Sequence, residues 1–420
     1  MAPYAPDYSP PSSDITVDDF NDDENLAILR SMWRRVSELE AKEKMQAEKK
    51  ASKQTPMKTF TNLGRCIHKV VSTFGSINSL IAESDRRQEL EVERISGEEV
   101  HDEEEKPTRD QDRAFNGYKE LIRFVPAIRK ALVEAEPDEM SEIVTALRHG
   151  ARNARSDDTK NLKAAVVPWL QTLFPEMDPL DPDDRDDRGI YNEFLGRLLC
   201  PPEYDYSDEE IRVRIREGDP EYLVTAGSWW TGLYRDNQYD PLNPTKGLFE
   251  NRLLIMVWKY IFTSPVSVKH TLAEVSENQP PRTSDKRQKR KERAKASATP
   301  KRSVAAIIGL NRVSGRSIAY AAVQYRVAIS DQHHWEENDG SFDYTEFYNN
   351  VVDYFEFPPG PIAKLEVEQL LDGWNSLVFR HHPTNWSLYE GGSAPKGSVM
   401  QMNAARTARE AGMSSIPDMS

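Results

Sequence analysis

The sequence predicts an all-α protein: an irregular multi-helix bundle with an N-terminal coiled-coil-like helical arm and disordered tails. Three observations carry this. Apolar residues recur at spacings of three and four in one segment after another, as in "MKTFTNLGRCIHKVVSTFGSINSLI". No stretch shows the period-two alternation of a half-buried strand. The hydrophobic fraction is 38%, the charged fraction 30% and the mean hydropathy −0.70, so a sizeable part of the chain should lie outside a packed core.

Residues 1–25 read as a disordered acidic tail. Pro is frequent, and the acidic residues from Asp7 to Glu24 meet no basic residue. Residues 26–83 form the expected arm. Leu26, Leu29, Trp33 and Val36 hold a heptad spacing, and a second helix follows, with Thr55 as its cap and Pro56 at its first position. Its apolar seam is Phe60, Leu63, Ile67, Val70, Phe74, Ile77 and Ile81. That is the period that winds helices around each other. Gly64 and Gly75 weaken such a helix by about 1 kcal/mol each relative to Ala. The seam needs cover: a second copy or another protein partner, the 26–36 helix, or the chain's own main domain.

Residues 84–113 read as a charged linker, and 114–380 as the helical domain. Helices are expected near 112–133, kinked at Pro126, then over 138–153 and over 158–173, the last behind the capping stretch "SDD". "EMDPLDPDDRDDRG" is an acidic loop. "GIYNEFLGRLL" is a short helix ending at Cys200-Pro201-Pro202. Ser207 with Glu210 makes a capping box for "DEEIRVRIREG". "AGSWWTGLYRDNQYDPLNPTK" is loop with aromatic anchors. From Leu253 to Phe262 apolar residues cover almost the whole circumference, which marks a central core helix. Residues 276–303 are a basic disordered insert. Helices resume in "SGRSIAYAAVQYRVAIS", where small residues permit close approach, and in "SFDYTEFYNNVVDYFEF" and "AKLEVEQLLDGWNSLVF". Residues 381–420 are a loose tail.

Four blocks, "RGIYNEFLGRLLCP", "YDPLNPTKGLFENRLLIMVWKYIFTSP", "SIAYAAVQYRVAIS" and "DGSFDYTEFYNNVVDYFE" with "WNSLVF", resemble the successive blocks of an uncharacterised domain family. That family of unknown function is found mostly in mushroom-forming (basidiomycete) fungi, and the likeness spans roughly residues 188–379. The resemblance implies no activity, substrate or catalytic residue. It places the basic insert in a spacer between blocks, where a loop can hang outside the core.

Between Arg282 and Arg302 stand ten Lys and Arg against Asp285 and Glu292. This is a net of +8 in a chain of −14, so the remainder carries −22. Lys286, Arg287, Lys289, Arg290, Lys291, Arg293 and Lys295 fit the loose pattern read by nuclear import receptors. Nucleic acid is the second possible partner of this run. An acidic body repels phosphate, so such binding would be weak, non-specific and steeply salt-dependent. A solvated loop is the plain alternative. The acidic loop beginning at Asp184 fails as a calcium loop, because Arg188 and Leu195 stand where ligands are needed. His333-His334 and His381-His382 lack metal-ligand spacing. Cys66 and Cys200 are too few for a disulfide framework or a zinc site, and read as small apolar residues on helices. Trp229, Trp230, Tyr234, Trp258 and Trp374 read as core anchors.

No Gly-rich phosphate loop or G-x-S-x-G elbow is present, and no cofactor or metal is expected. The N-terminus has no secretory signal and no run is long enough to span a bilayer, which leaves nucleus or cytoplasm. The function expected is that of a non-enzymatic interaction or scaffold protein entering the nucleus through the basic insert. The alternatives are a nucleic-acid-associated protein using the 282–302 loop, and an enzyme of unrecognised motif.

Overall fold

The computed structural model describes residues 57–96, 106–276 and 302–379, together with single helical positions at 35, 36, 39 and 42. The acidic N-terminal tail, most of the 26–36 helix, the basic residues 286–295, His381-His382 and the C-terminal tail lie outside the described residues.

Thirteen numbered α-helices follow the helical stretch 57–64 among the described residues. They are α1 (Ile67–Val70), α2 (Ile77–Ser96), α3 (Arg109–Phe124), α4 (Pro126–Glu134), α5 (Pro137–Leu173), α6 (Glu193–Leu199), α7 (Glu209–Glu217), α8 (Arg252–Phe262), α9 (Pro265–Ser276), α10 (Val304–Ile308), α11 (Gly315–Ile329), α12 (Tyr344–Glu356) and α13 (Pro361–Val378). A two-residue hairpin, β1 (Asn338–Asp339) with β2 (Phe342–Asp343), is the one sheet among them. The class is all-α.

The organising element is α11, every residue of which is buried. Its sequence explains how that is tolerated. Gly315, Ser317, Ala319, Ala321, Ala322 and Ala328 let α5, α8 and α12 approach its axis closely. A Cβ at Gly315 would overlap the Phe355 ring. Several polar residues on α11 have partners. Trp258 Nε1 donates to Ser317 Oγ at 3.1 Å, Thr159 Oγ1 donates to Gln324 Oε1 at 2.9 Å, and Arg316 pairs with Glu356 at 2.6 Å. Each such bond offsets a desolvation cost of about 1–3 kcal/mol. The helix expected at the centre, α8, is there too, with Leu253, Leu254, Met256, Val257, Trp258, Ile261 and Phe262 buried.

Several expectations are corrected. The seam from Phe60 to Ile81 does not run as one helix. Helix covers 57–64, a turn intervenes at 65–66, α1 lasts four residues, and the chain then turns through 71–76 before α2. Ile67, Val70 and Ile77 are buried within the domain. The physical reason is a glycine crossing. A Cβ at Gly64 would overlap the Leu147 carbonyl, and one at Gly150 would overlap the Thr61 carbonyl. The two backbones therefore touch, and the helix before α1 lies directly on α5. The chain divides into two units, Met1–Thr59 and Phe60–Ser420, so the part of the expected arm from Phe60 onward belongs to the same unit as the helical domain.

The expected linker 84–113 is helical at both ends. Glu83 pairs with Arg86 at 2.8 Å and with Arg87 at 2.7 Å, and Arg87 reaches Asp112 on α3 at 2.9 Å. These pairs let a highly charged sequence stay helical. Pro126 does not kink a helix but opens α4, after a break at Val125. The "SDD" stretch caps nothing, because α5 continues through it for 37 residues. Asp157 and Asp158 instead pair with Arg65 and Lys69 across the helix. The cap of α7 is Asp208 rather than Ser207. Cys66 and Cys200 are buried, but Cys66 lies in a turn and Cys200 caps a helix end. Burial pushes both thiols up to about 12, which leaves them neutral.

Candidate functional site

A cluster of positive charge without ion pairs among the described residues lies beside the broken seam. "RHGARNAR" places Arg148, Arg152 and Arg155 at i, i+4 and i+7, on one face of α5. Opposite stand α1 and the turn 71–76. That turn is tied by its own short polar side chains. Thr73 Oγ1 donates to the His68 carbonyl at 2.9 Å, and the Gly75 amide donates to Ser72 Oγ at 2.9 Å. Ser76 Oγ accepts the Ser79 amide at 3.0 Å, a helix-start cap that fixes the first turn of α2. The N-terminal end of α2 therefore faces the three guanidinium groups. A helix start carries about half a positive charge.

Between these walls lies a cleft of about 320 Å³, lined by His68, Gly75, Ser76, Arg148, Arg152 and Arg155 among others. Arg155 rests 4.6 Å from the Trp335 ring centroid, and Trp335 stacks on Phe74 at 6.1 Å. The ring pair holds the guanidinium in place with a contribution of about 1–2 kcal/mol. His68 Nδ1–H donates to the Ser72 carbonyl at 3.3 Å in the tautomer that fits it, and Nε2 is buried without a partner. Burial first, and then the charge on Arg155, pushes the imidazole down to about 4. Burial and the neighbouring Arg152 also lower the Arg155 guanidinium.

None of the three arginines forms an ion pair among the described residues. Their neighbours do. Arg65 pairs with Asp157 at 2.8 Å, and Lys69 pairs with Asp158, which also accepts the Tyr320 hydroxyl at 2.7 Å. One carboxylate, the exposed Glu337, lines the cleft. Glu337 offsets part of the charge on Arg155, and a bound anion relieves the repulsion that remains among the three guanidinium groups.

Residues 149–379, over half of the chain, match a family of unknown function (DUF6698). The chain belongs to that family. The match begins well before residue 188, where the block likeness starts, so the DUF6698 region takes in Arg152, Arg155, Trp335 and Glu337. No curated protein and no solved structure matches the chain. The DUF6698 region also holds α11 and α8, the two helices that position everything else.

The sequence-predicted site residues fare differently. Ile67, Phe74 and Ile77 form cleft walls rather than a pairing seam. Phe60, Leu63 and Ile81 are half-buried, and Val70 is buried. Arg302 is the one described residue of the basic run's ten. In the acidic loop, Arg188 turns inward and donates to the Lys163 and Ala328 carbonyls at 2.8 and 3.0 Å, while His333 pairs with Asp186 at 3.0 Å. No cluster of metal-ligating side chains occurs among the described residues. Trp230, Trp258 and Trp374 are buried anchors, and Trp374 Nε1 donates to the Phe249 carbonyl at 3.0 Å.

Sequence reasoning passed over the arginine row. Its signal was present in the i, i+4, i+7 spacing. Ending one helix at 153 and starting another at 158 separated Arg155 from its companions.

Proposed function

We propose that the chain is a non-enzymatic protein-interaction module that grips an acidic segment of a partner protein in the cleft of Arg148, Arg152, Arg155 and His68. The observation that carries this is three guanidinium groups and a helix start converging on one cleft with a single exposed carboxylate beside them. Arginine suits the task, because its planar fork donates two parallel hydrogen bonds to a carboxylate or phosphoryl group. The chain as a whole, at net −14, argues against a long polyanion such as nucleic acid as the partner. No helix among the described residues is long and apolar enough to cross a membrane.

Nuclear import through Lys286, Arg287, Lys289, Arg290, Lys291, Arg293 and Lys295 belongs to the same proposal, supported by the run of charge in the sequence. The block likeness supports a basidiomycete source. The decisive experiment is a fluorescence-anisotropy titration of a labelled Glu/Asp-rich peptide, with a double-stranded oligonucleotide in parallel. The native chain binds the peptide, and affinity falls as salt rises. Arg148→Glu with Arg152→Glu abolishes binding while leaving the helical circular dichroism intact. Equal binding by native and double-variant chains overturns the proposal, and so does tighter binding of the oligonucleotide. In cells, Lys289, Arg290 and Lys291 replaced together by Ala disperse a tagged chain from the nucleus.

A further inference from the structure

A second concavity lies at the C-terminal end of α11, wholly within the DUF6698 region. Its volume is about 290 Å³, at the lower edge of the ~300–1,000 Å³ of small-molecule sites. The 189–191 turn, the end of α7 and the β1–β2 hairpin enclose it. Three of its glycines, Gly189, Gly218 and Gly340, have positive φ.

Five charged residues line this space, Arg216, Glu217, Arg326, Asp331 and Asp339, of which Glu217 is exposed to solvent. Arg326, on α11, is only 3% exposed. Its guanidinium lies 3.6 Å from the Phe342 ring centroid and donates to the Leu199 carbonyl at 3.3 Å. The nearest carboxylate, Asp339, is 3.9 Å away, beyond hydrogen-bond reach. Arg326 Nε is buried without a partner. A buried guanidinium so thinly satisfied costs several kcal/mol unless something else completes it. Asp331, half-buried just past the end of α11, has no side-chain partner among the described residues. Burial and the charge on Asp339 raise its pKa. It reaches the cavity because residue 189 is glycine: a Cβ there would lie 2.9 Å from the Asp331 carboxyl carbon, and φ at 189 is +79°. The other cation, Arg216, is already engaged, donating to the Tyr191 carbonyl at 2.8 Å.

We infer that this pocket binds a small zwitterion of free amino-acid size, its carboxylate on Arg326 and its ammonium between Asp331 and Asp339. Arg326 and Asp331, each short of side-chain partners, share one small cavity with Asp339. A ligand carrying both charges satisfies all three, whereas a simple amine leaves Arg326 unmet and a simple acid leaves the aspartates unmet.

The test is isothermal titration of the full chain with each of the twenty common amino acids at millimolar concentration. Ethylamine and acetate serve as single-charge probes. At least one amino acid binds saturably, and both single-charge probes bind at least about tenfold more weakly, a difference of ~1.4 kcal/mol. Asp331→Asn and Asp339→Asn, each checked for native circular dichroism, weaken that amino acid by at least about tenfold. These two residues are chosen because replacing buried Arg326 risks unfolding the chain. The inference is overturned if no amino acid binds, if ethylamine or acetate binds as tightly, or if both Asn variants bind unchanged.

Discussion

Gly64→Ala separates two accounts of the segment before α1 by the sign of a stability change. On an exposed or partner-seeking helix, Ala replaces Gly with a gain of about 1 kcal/mol. In the structure, the new methyl group overlaps the Leu147 carbonyl, a backbone group of α5 that cannot rotate aside. The helix must lift from α5, and overpacking of this kind costs about 1–3 kcal/mol, near the upper end when the obstacle is backbone. With the propensity gain subtracted, the expected net loss is about 2 kcal/mol. Gly150→Ala, whose methyl group meets the Thr61 carbonyl on the same crossing, behaves alike. Gly227→Ala is the control. Its nearest neighbour would be Thr225 Oγ1 at 3.5 Å, so it is neutral or stabilises by a few tenths of a kcal/mol, up to about 1. Urea unfolding followed by tryptophan fluorescence reads all three. A gain of ~1 kcal/mol in Gly64→Ala refutes the crossing and restores the apolar seam as a free pairing surface.

Other expectations follow from single contacts. Asn375→Ala removes the acceptor of the buried Val313 amide, now held at 2.7 Å, and destabilises by about 1–3 kcal/mol in the same assay. His68, neutral in the fold down to about 4 against an ordinary 6.5, binds its proton more readily when unfolded. Its contribution to stability is therefore complete above pH 6.5 and is lost as pH falls from 6.5 towards 4. Native chain consequently loses more stability between pH 7 and 4.5 than His68→Gln does, measured by urea midpoints. Trp258→Phe removes the Nε1–H donor to Ser317 Oγ, which keeps its bonds to Ser314, and leaves a void where the buried indole was, at a cost of about 1–3 kcal/mol in the same assay.

Much of the fold was legible because its signals are local. The all-round apolar character of residues 253–262 foretold α8, and the small residues of 315–329 foretold close packing, though not that α11 would be the axis of the domain. The heptad spacing of 60–81 was a true apolar pattern with the wrong geometry attached. Ile67, Val70 and Ile77 need burial, and the chain supplies it by breaking twice and folding onto α5, which only the long-range contact of Gly64 with Leu147 reveals. Likewise "SDD" resembles a cap until Arg65 and Lys69 arrive from elsewhere in the chain to pair with it. The arginine row was written in the sequence, but its meaning depends on which carboxylates are absent nearby. The Arg326 pocket depends on three distant segments meeting, and no spacing announces that.

The cleft's affinity for anions is tested most directly by proton NMR of the His68 imidazole, titrated with acid in the absence and presence of inorganic phosphate. Burial is the larger cause of the low His68 value, and phosphate seated among Arg148, Arg152 and Arg155 offsets the smaller part that comes from the neighbouring guanidinium charge, so the midpoint rises above about 4 without reaching an ordinary histidine value, and Arg152→Glu abolishes the shift. A midpoint that stays near 4 at saturating phosphate contradicts the account.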